Sequence, residues 1–405
     1  MNKETFCIMP FINVYLERNG DYVACGHSQT GDTKNSNINT HTIEQAWNDD
    51  YFVNLRQDLL NGVRNKNCQV CWNRELRGTT SQRQEFNKVF KNLNTDINIK
   101  TKSLPSMLGL KSDNTCNLKC ITCNHYQSSQ HEKEVKLFRT ENIKMPKWLE
   151  VIEEINQGNF YAGDYILENI ESLLKNKIKL ELQGGEPLIS PVTHNLLDYC
   201  IRHKYTDIHL STTVNLTSLT DDMLSKLTQF PKKELWISWD HIEDEKFRLI
   251  RYPATYSNFL KNLDKLISAG NRNLGISFTI SIFNIFDIEE ILDTFEKTAE
   301  KYNIEWLDVV LRIVFQPDYF SFEYLEPEQK EKAICLLKKC SNKDLKILSD
   351  SKGLKKGILD SIEILQSQIN DFNEVVTERT RVLDLYDITR KTNYQKLYPF
   401  IKRYE

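Results

Sequence analysis

From about residue 105 to residue 320, short apolar runs alternate with longer stretches of helical spacing. The apolar runs predict strands at Met107–Lys111, Ile178–Leu182, Asp207–Thr212, Glu234–Ser238, Leu274–Ile282 and Trp306–Val314. Helical spacing follows near 128–140, 192–204, 220–228, 256–269, 287–300 and 324–340. Strand followed by helix, six times, predicts parallel strands with right-handed crossovers. Six units are too few for an eight-fold barrel, and a doubly wound open sheet fits the same periodicity. In a β/α barrel the chemistry sits at the C-terminal ends of the strands.

The flanks differ from this middle region. Asn19-Gly20 between two apolar runs signals a hairpin, and Ile43 to Leu60 has helical spacing. Beyond residue 321 the pattern is helical and charged. Glu326-Pro327-Glu328 reads as a helix start, with further amphipathic spacing over 355–370 and 380–402. Asp384, Asp387 and Arg390 read as a salt-bridged helix face rather than a substrate wall. The expected organisation is a small cysteine-rich module over 1–85, a linker over 86–104, a β/α domain over 105–320 and a helical extension over 321–405.

The chain has 405 residues, 40% hydrophobic and 27% charged, with a net charge of −3. That fits one large domain with smaller ones beside it. No basic surface is implied, so composition does not argue for nucleic acid. No apolar run approaches the ~18 residues of a membrane span. Met1 to Cys7 lacks the apolar core of a signal peptide, so a cytoplasmic location is expected. That compartment keeps thiols reduced, and the ten cysteines are not read as disulfides. Cys200, Cys335 and Cys340 lie in helical patterns and read as buried thiols.

The other seven cysteines are patterned. Cys116, Cys120 and Cys123 form C-x3-C-x2-C just after the first predicted strand. Three thiolates are one short of a 4Fe–4S cluster's four ligands and leave one iron open. Three-quarters of a zinc site, with His125 as fourth ligand, is the competing reading. The second strand ends in Gln183-Gly184-Gly185-Glu186-Pro187, where paired glycines let backbone approach a ligand closely.

The three-cysteine loop, followed one β/α unit later by Gly-Gly-Glu-Pro, resembles the radical S-adenosylmethionine (radical SAM) enzymes. The resemblance implies a partial (β/α)6 barrel of the TIM type. It implies that Cys116, Cys120 and Cys123 hold a catalytic 4Fe–4S cluster whose open iron binds SAM. Backbone groups near Gly185 and Glu186, with Gly184 beside them, would hold the methionine amino group. Ser238, in Ser238-Trp239-Asp240, matches the family's Ser-x-Asp and would bond the SAM carboxylate or ribose. Arg251, with Arg248 as competitor, would pair with the methionine carboxylate. Asn215 matches the family's Thr-Asn-Gly in part, and either faces the cofactor or caps the following helix. One position departs from the pattern. The residue before the third cysteine is usually aromatic, and here it is Thr122, leaving adenine packing to Tyr126 or a later strand.

Cys7, Cys25 and the pair Cys68–Cys71 resemble the SPASM/Twitch domains that bind auxiliary iron–sulfur clusters, although those usually follow the barrel. The resemblance implies a second 4Fe–4S cluster on these four thiols, with four-thiolate zinc as the competitor. A reducing partner such as flavodoxin or ferredoxin is implied, and a peptide or small-molecule substrate. The expected reaction is reductive SAM cleavage and hydrogen abstraction for an oxidative modification. A redox-neutral reaction such as epimerisation and a non-enzymatic zinc-binding protein are the alternatives.

Overall fold

Leu108 and Leu110, Leu180 and Leu182, and Leu210 stand at alternate positions of three neighbouring strands, and all are buried. Side chains alternate across a strand, so one buried face fixes the register of the whole set. The computed structural model describes residues 4–28, 36–92, 97–111, 113–155, 164–343, 345 and 351–404. Residues 93–96 of the expected linker, and Ser112 ahead of the cysteine loop, lie outside them. The chain splits into two compact units. One comprises Met1–Asp113, Gly158–Thr212 and Ser225–Glu234; the other comprises Asn114–Gln157, Thr213–Leu224 and Leu235–Glu405.

The first unit contains β1 (Asn13–Leu16), β2 (Tyr22–Val23), β3 (Met107–Lys111), β4 (Lys179–Gln183) and all but the last two residues of β5 (His209–Val214), in the order β2-β1-β3-β4-β5. β1 and β2 form the expected hairpin, with Tyr15 opposite Val23 and Gly20 at φ 89° in its turn. The sequence did not disclose that β1 also runs parallel to β3, pairing Asn13 with Met107 and Leu16 with Leu110. The cysteine-rich segment therefore shares a sheet with the β/α region instead of depending on metal alone for a core.

The other face of this sheet is more polar. Tyr15, Gly109, Glu181 and Ser211 line up in register across β1, β3, β4 and β5. Gly109 leaves room for the Tyr15 ring, since a Cβ there would stand 2.1 Å from Tyr15 Cδ2. Tyr15 donates its hydroxyl to Gln183 Oε1 at 2.8 Å, and Gln183 donates to Glu181 at 2.6 Å. Next to them Lys111 pairs with Glu17 at 2.8 Å.

The second unit holds β6 (Lys233–Ser238) from Leu235 onward, β7 (Leu274–Ile280) and β8 (Trp306–Ile313), parallel and in that order. Its core centres on Trp239, whose ring meets Phe259 at 5.0 Å and Phe295 at 4.9 Å. Helices Ile288–Tyr302, Pro327–Ser341, Lys352–Gln366 and Phe372–Arg390 complete the unit's C-terminal half.

The α/β class, the six strand positions and the helical C-terminal region are as the sequence predicted. Several helices are not. Among the described residues between β3 and β4 there are three helices, Ser129–Thr140, Lys147–Ile155 and Asp164–Lys175, where one was expected. The expected 43–60 helix breaks because Asp49 accepts from Phe52 N–H at 3.0 Å and starts a new helix, Asp50–Asn61. The expected 380–402 helix ends at Arg390, where Lys391 takes a left-handed conformation at φ 53°. Among the described residues no helix is long and apolar enough to cross a membrane.

Candidate metal centres

In the second unit, a partly buried loop carries Cys116, which is buried, and Cys120 and Cys123, which are partly exposed. Ser128 opens the next helix by accepting from Gln130 and His131 N–H, and Ser129 Oγ receives Cys116 N–H at 3.2 Å. The loop is also fastened to the chain after β6. Lys119 N–H donates to Tyr252 carbonyl and Ile121 N–H to Ile250 carbonyl, both at 2.8 Å. These bonds bracket Cys120 and place Arg251 beside it.

Arg251 is buried and uses its guanidinium twice. Nη2 lies 2.6 Å from Asp240 Oδ2, and Nη1 points to Cys120 Sγ at 3.9 Å. Asp240 is held in turn by Thr279 N–H at 2.7 Å. Arg248, the competing arginine, is exposed, with its guanidinium 5.4 Å from the Tyr252 ring. Burial raises the Cys120 thiol while the Arg251 charge opposes that rise. Burial and the neighbouring Cys120 push the Cys123 thiol up to about 12.

Asn215 joins the same loop rather than a helix start. Its Nδ2 donates to Asn117 Oδ1 at 3.0 Å, its Oδ1 accepts from Thr217 N–H at 2.8 Å, and the next helix begins only at Asp221. Asn117 also donates to Thr217 Oγ1 at 2.8 Å. Ser238 ends β6 opposite Ser277 of β7. Tyr126 N–H is bound by the Asn124 side chain at 3.0 Å.

The first unit carries the Gly-Gly-Glu-Pro segment. Gly184 has φ 137°, a region that side chains with a Cβ avoid. Gly185 N–H donates to Asp113 carbonyl at 2.9 Å, and Ser190 Oγ donates to the Asp113 carboxylate at 2.7 Å. Glu186 is buried and accepts from Leu188 N–H at 3.2 Å.

The same unit gathers Cys7, Cys25, Cys68 and Cys71 around one small pocket, with His27 and Arg83 among its other walls. Cys7 precedes a short helix, Cys25 follows β2, Cys68 closes a 3-10 turn and Cys71 sits in helix Gln69–Leu76. Burial pushes all four thiols up, and mutual repulsion adds to it at Cys7, Cys25 and Cys68. Such a set is stable as thiolates only around a cation. Soft thiolates select zinc or iron–sulfur clusters, so the donors fit either.

Sequence reasoning missed Arg83 at this site. It is buried, gripped by Glu75 at 2.8 Å, and bonded to Phe6 carbonyl at 2.7 Å. Its charge lowers the cost of a Cys68 thiolate. Nothing in its local sequence marks it.

Among the described residues, the one group of three His, Cys, Asp or Glu ligand atoms within 4.8 Å of one another is His241, Glu243 and Asp287. Those donors are already used. His241 Nδ1 accepts Ile242 N–H at 2.9 Å and Nε2 meets Asp287 at 2.9 Å. Lys246 pairs with both Asp287 and Glu243.

The family model of the Radical SAM superfamily matches residues 112–298, and that of an iron–sulfur cluster-binding domain, SPASM, matches residues 7–72. An uncharacterized protein of Methanocaldococcus jannaschii is 26% identical over 227 residues, 55% of this chain and 63% of its own length. A GTP 3',8-cyclase of Clostridium botulinum is 24% identical over 191 residues, 47% of this chain and 51% of its own length. The chain thus matches between about half and about three-fifths of these relatives' lengths. A solved structure of native anSMEcpe with bound AdoMet is 16% identical, covering 56% of this chain and 58% of that one at a TM-score of 0.40. The chain thus carries a radical SAM superfamily domain at 112–298 with a SPASM domain ahead of it at 7–72, and these two domains imply 4Fe–4S clusters and S-adenosylmethionine as cofactors.

Proposed function

We propose that this chain is an enzyme that reductively cleaves S-adenosylmethionine and takes hydrogen from a peptide or small metabolite, giving a net oxidation. The observation that carries the reading is the contrast between two thiol sets. One loop offers three thiols, whereas the N-terminal set converges four on one cavity. When bound, a three-thiolate 4Fe–4S cluster with SAM supplies the 5′-deoxyadenosyl radical that takes the hydrogen.

This chain's residues do the rest. Cys116, Cys120 and Cys123 are the proposed ligands, and the bonds from Lys119 and Ile121 to residues 252 and 250 hold them in place. Arg251 favours the Cys120 thiolate, a role it can fill besides binding the methionine carboxylate. Gly184, Gly185 and Glu186 are the proposed backbone cradle for the methionine amino group, with Asn215 and Ser238 assigned to SAM. Cys7, Cys25, Cys68 and Cys71 close the auxiliary site to substrate, which suits electron transfer and hence oxidation. In this organisation, 1–85 is the auxiliary module, 86–104 the linker, 105–320 the catalytic domain and 321–405 a helical extension. A flavodoxin or ferredoxin in the cytoplasm would supply the electron.

The test is product analysis in deuterated water with the reconstituted protein, SAM, a reductant and candidate peptides drawn from the products of neighbouring genes. Oxidation predicts a product two mass units lighter with no solvent deuterium at carbon. Solvent deuterium without that loss would replace oxidation by a redox-neutral reaction such as epimerisation.

A further inference from the structure

Arg390 stands 267 positions beyond Cys123 in the chain and ends the C-terminal helix Phe372–Arg390, yet it is built into the base of the cysteine loop. Its side chain is 1% exposed, as is that of Glu134, and the two meet at 2.7 Å. The contact is bidentate, with Arg390 Nε also 3.1 Å from Glu134 Oε1. Nη1 donates to the carbonyl of Lys119 at 3.0 Å. Lys119 lies between the first two cysteines, immediately before Cys120. The guanidinium rests 3.7 Å from the Tyr386 ring centroid and 5.8 Å from that of Tyr252, the residue whose carbonyl receives Lys119 N–H.

Three further contacts converge on the same point. Lys119 Nζ pairs with Glu134 at 2.7 Å. His131 Nε2 donates to the Cys120 carbonyl at 2.8 Å, and its Nδ1 faces Glu134 at 3.5 Å. Both carbonyls around Cys120 are thus held from one side, by Arg390 at residue 119 and by His131 at residue 120. Around Cys120 the loop meets three cations, Arg390, Lys119 and Arg251, whose partners are Glu134 and Asp240, and Asn114 of the loop donates to a further carboxylate, Glu132, at 3.0 Å. A buried ion pair costs desolvation and is weak evidence for stability alone. Here the arginine also donates to the ligand loop, which a purely structural pair need not do.

We propose that Arg390 is a positioning residue for the open cluster. It fixes the backbone before Cys120 and holds a buried positive charge that keeps the three-thiolate site reducible. The inference rests on the assignment of Cys116, Cys120 and Cys123 as cluster ligands. Cluster potentials respond to net charge and to hydrogen bonds near the sulfurs, so loss of this cation should make reduction harder.

The test uses the full chain after anaerobic reconstitution, comparing unchanged protein with Arg390→Lys, Arg390→Met and Glu134→Gln/Arg390→Met. The double variant removes both buried charges, so it is expected to fold even where Arg390→Met does not. The readouts are iron content, the SAM-induced change in the electron paramagnetic resonance of the reduced open cluster, and its reduction potential. The expected result is a more negative potential in Arg390→Met, little shift of potential in the double variant because its net charge is unchanged, a weakened SAM-induced change in both Met-containing proteins through the lost bond to the Lys119 carbonyl, and partial restoration in Arg390→Lys. If Arg390→Met folds with the potential of the unchanged protein, or the double variant folds with its SAM-induced change, Arg390 is only a strut and the proposal is overturned. If the unchanged protein itself binds no iron and cleaves no SAM, the ligand assignment beneath it fails instead.

Discussion

Arg251 links Asp240 to Cys120, with one guanidinium nitrogen 2.6 Å from the carboxylate and another 3.9 Å from the ligand-candidate sulfur. The arginine and the aspartate are both nearly buried, so removing one strands the other. Arg251→Met is expected to destabilise the metal-free protein by about 3–5 kcal/mol, the usual cost of a buried charge left unpaired. Asp240→Asn/Arg251→Met should recover most of that loss in urea unfolding. Equal stability in the unchanged protein and Arg251→Met would show that the pair is not held as described.

Glu134 gives a pH dependence with a definite sign. Burial alone would raise its carboxyl, but His131 and Arg390 hold it well below the usual range. A depressed carboxyl contributes stability that is present above its unfolded value of 4.5 and is lost as pH falls through the folded value. The stability gap between the unchanged protein and Glu134→Gln should therefore be widest near neutrality and narrow progressively below about pH 4.5. Thermal melts of the metal-free proteins between neutral and acid pH check this. A gap independent of pH would contradict it.

Gly109 is expected to tolerate no side chain while Tyr15 keeps its place, because the new Cβ would lie 2.1 Å from the ring. Gly109→Ala should cost about 1–3 kcal/mol through overpacking. Tyr15→Ala in the same chain should relieve the clash. If Gly109→Ala alone is neutral in denaturant melts, the ring does not rest on β3.

What the sequence disclosed was local, and what it withheld was distant. Strand alternation, the Asn19-Gly20 turn, the C-x3-C-x2-C loop and Gly184-Gly185 each declare themselves within a few residues. The pairing of β1 with β3 joins residues about ninety apart, and a four-residue strand has too little pattern to announce its partner. Arg390 reads in sequence as one charge on a salt-bridged helix face. Asp384 does pair with Arg403 at 2.5 Å, and Asp387 binds Tyr394 N–H at 3.0 Å. Arg390 instead turns inward to Glu134, 256 residues away. The helix break at Asp49 was missed because a capping aspartate inside an amphipathic stretch looks like one more surface charge.

The auxiliary site should be separable from the catalytic one. Cys68→Ala/Cys71→Ala is expected to lose one cluster, about four of about eight irons per chain. It should keep the SAM-induced spectral change of the other. Iron and sulfide analysis with electron paramagnetic resonance decides this. Loss of both clusters together would mean that the two sites do not load independently.

The most direct measurement is 5′-deoxyadenosine formation from SAM under reductant by anaerobically reconstituted protein, alongside Cys116→Ala/Cys120→Ala/Cys123→Ala. The unchanged protein should bind about eight irons and form 5′-deoxyadenosine with methionine. The triple variant should keep about half of the iron and form none. Zinc in place of iron, or cleavage that persists without the three thiols, would contradict the account.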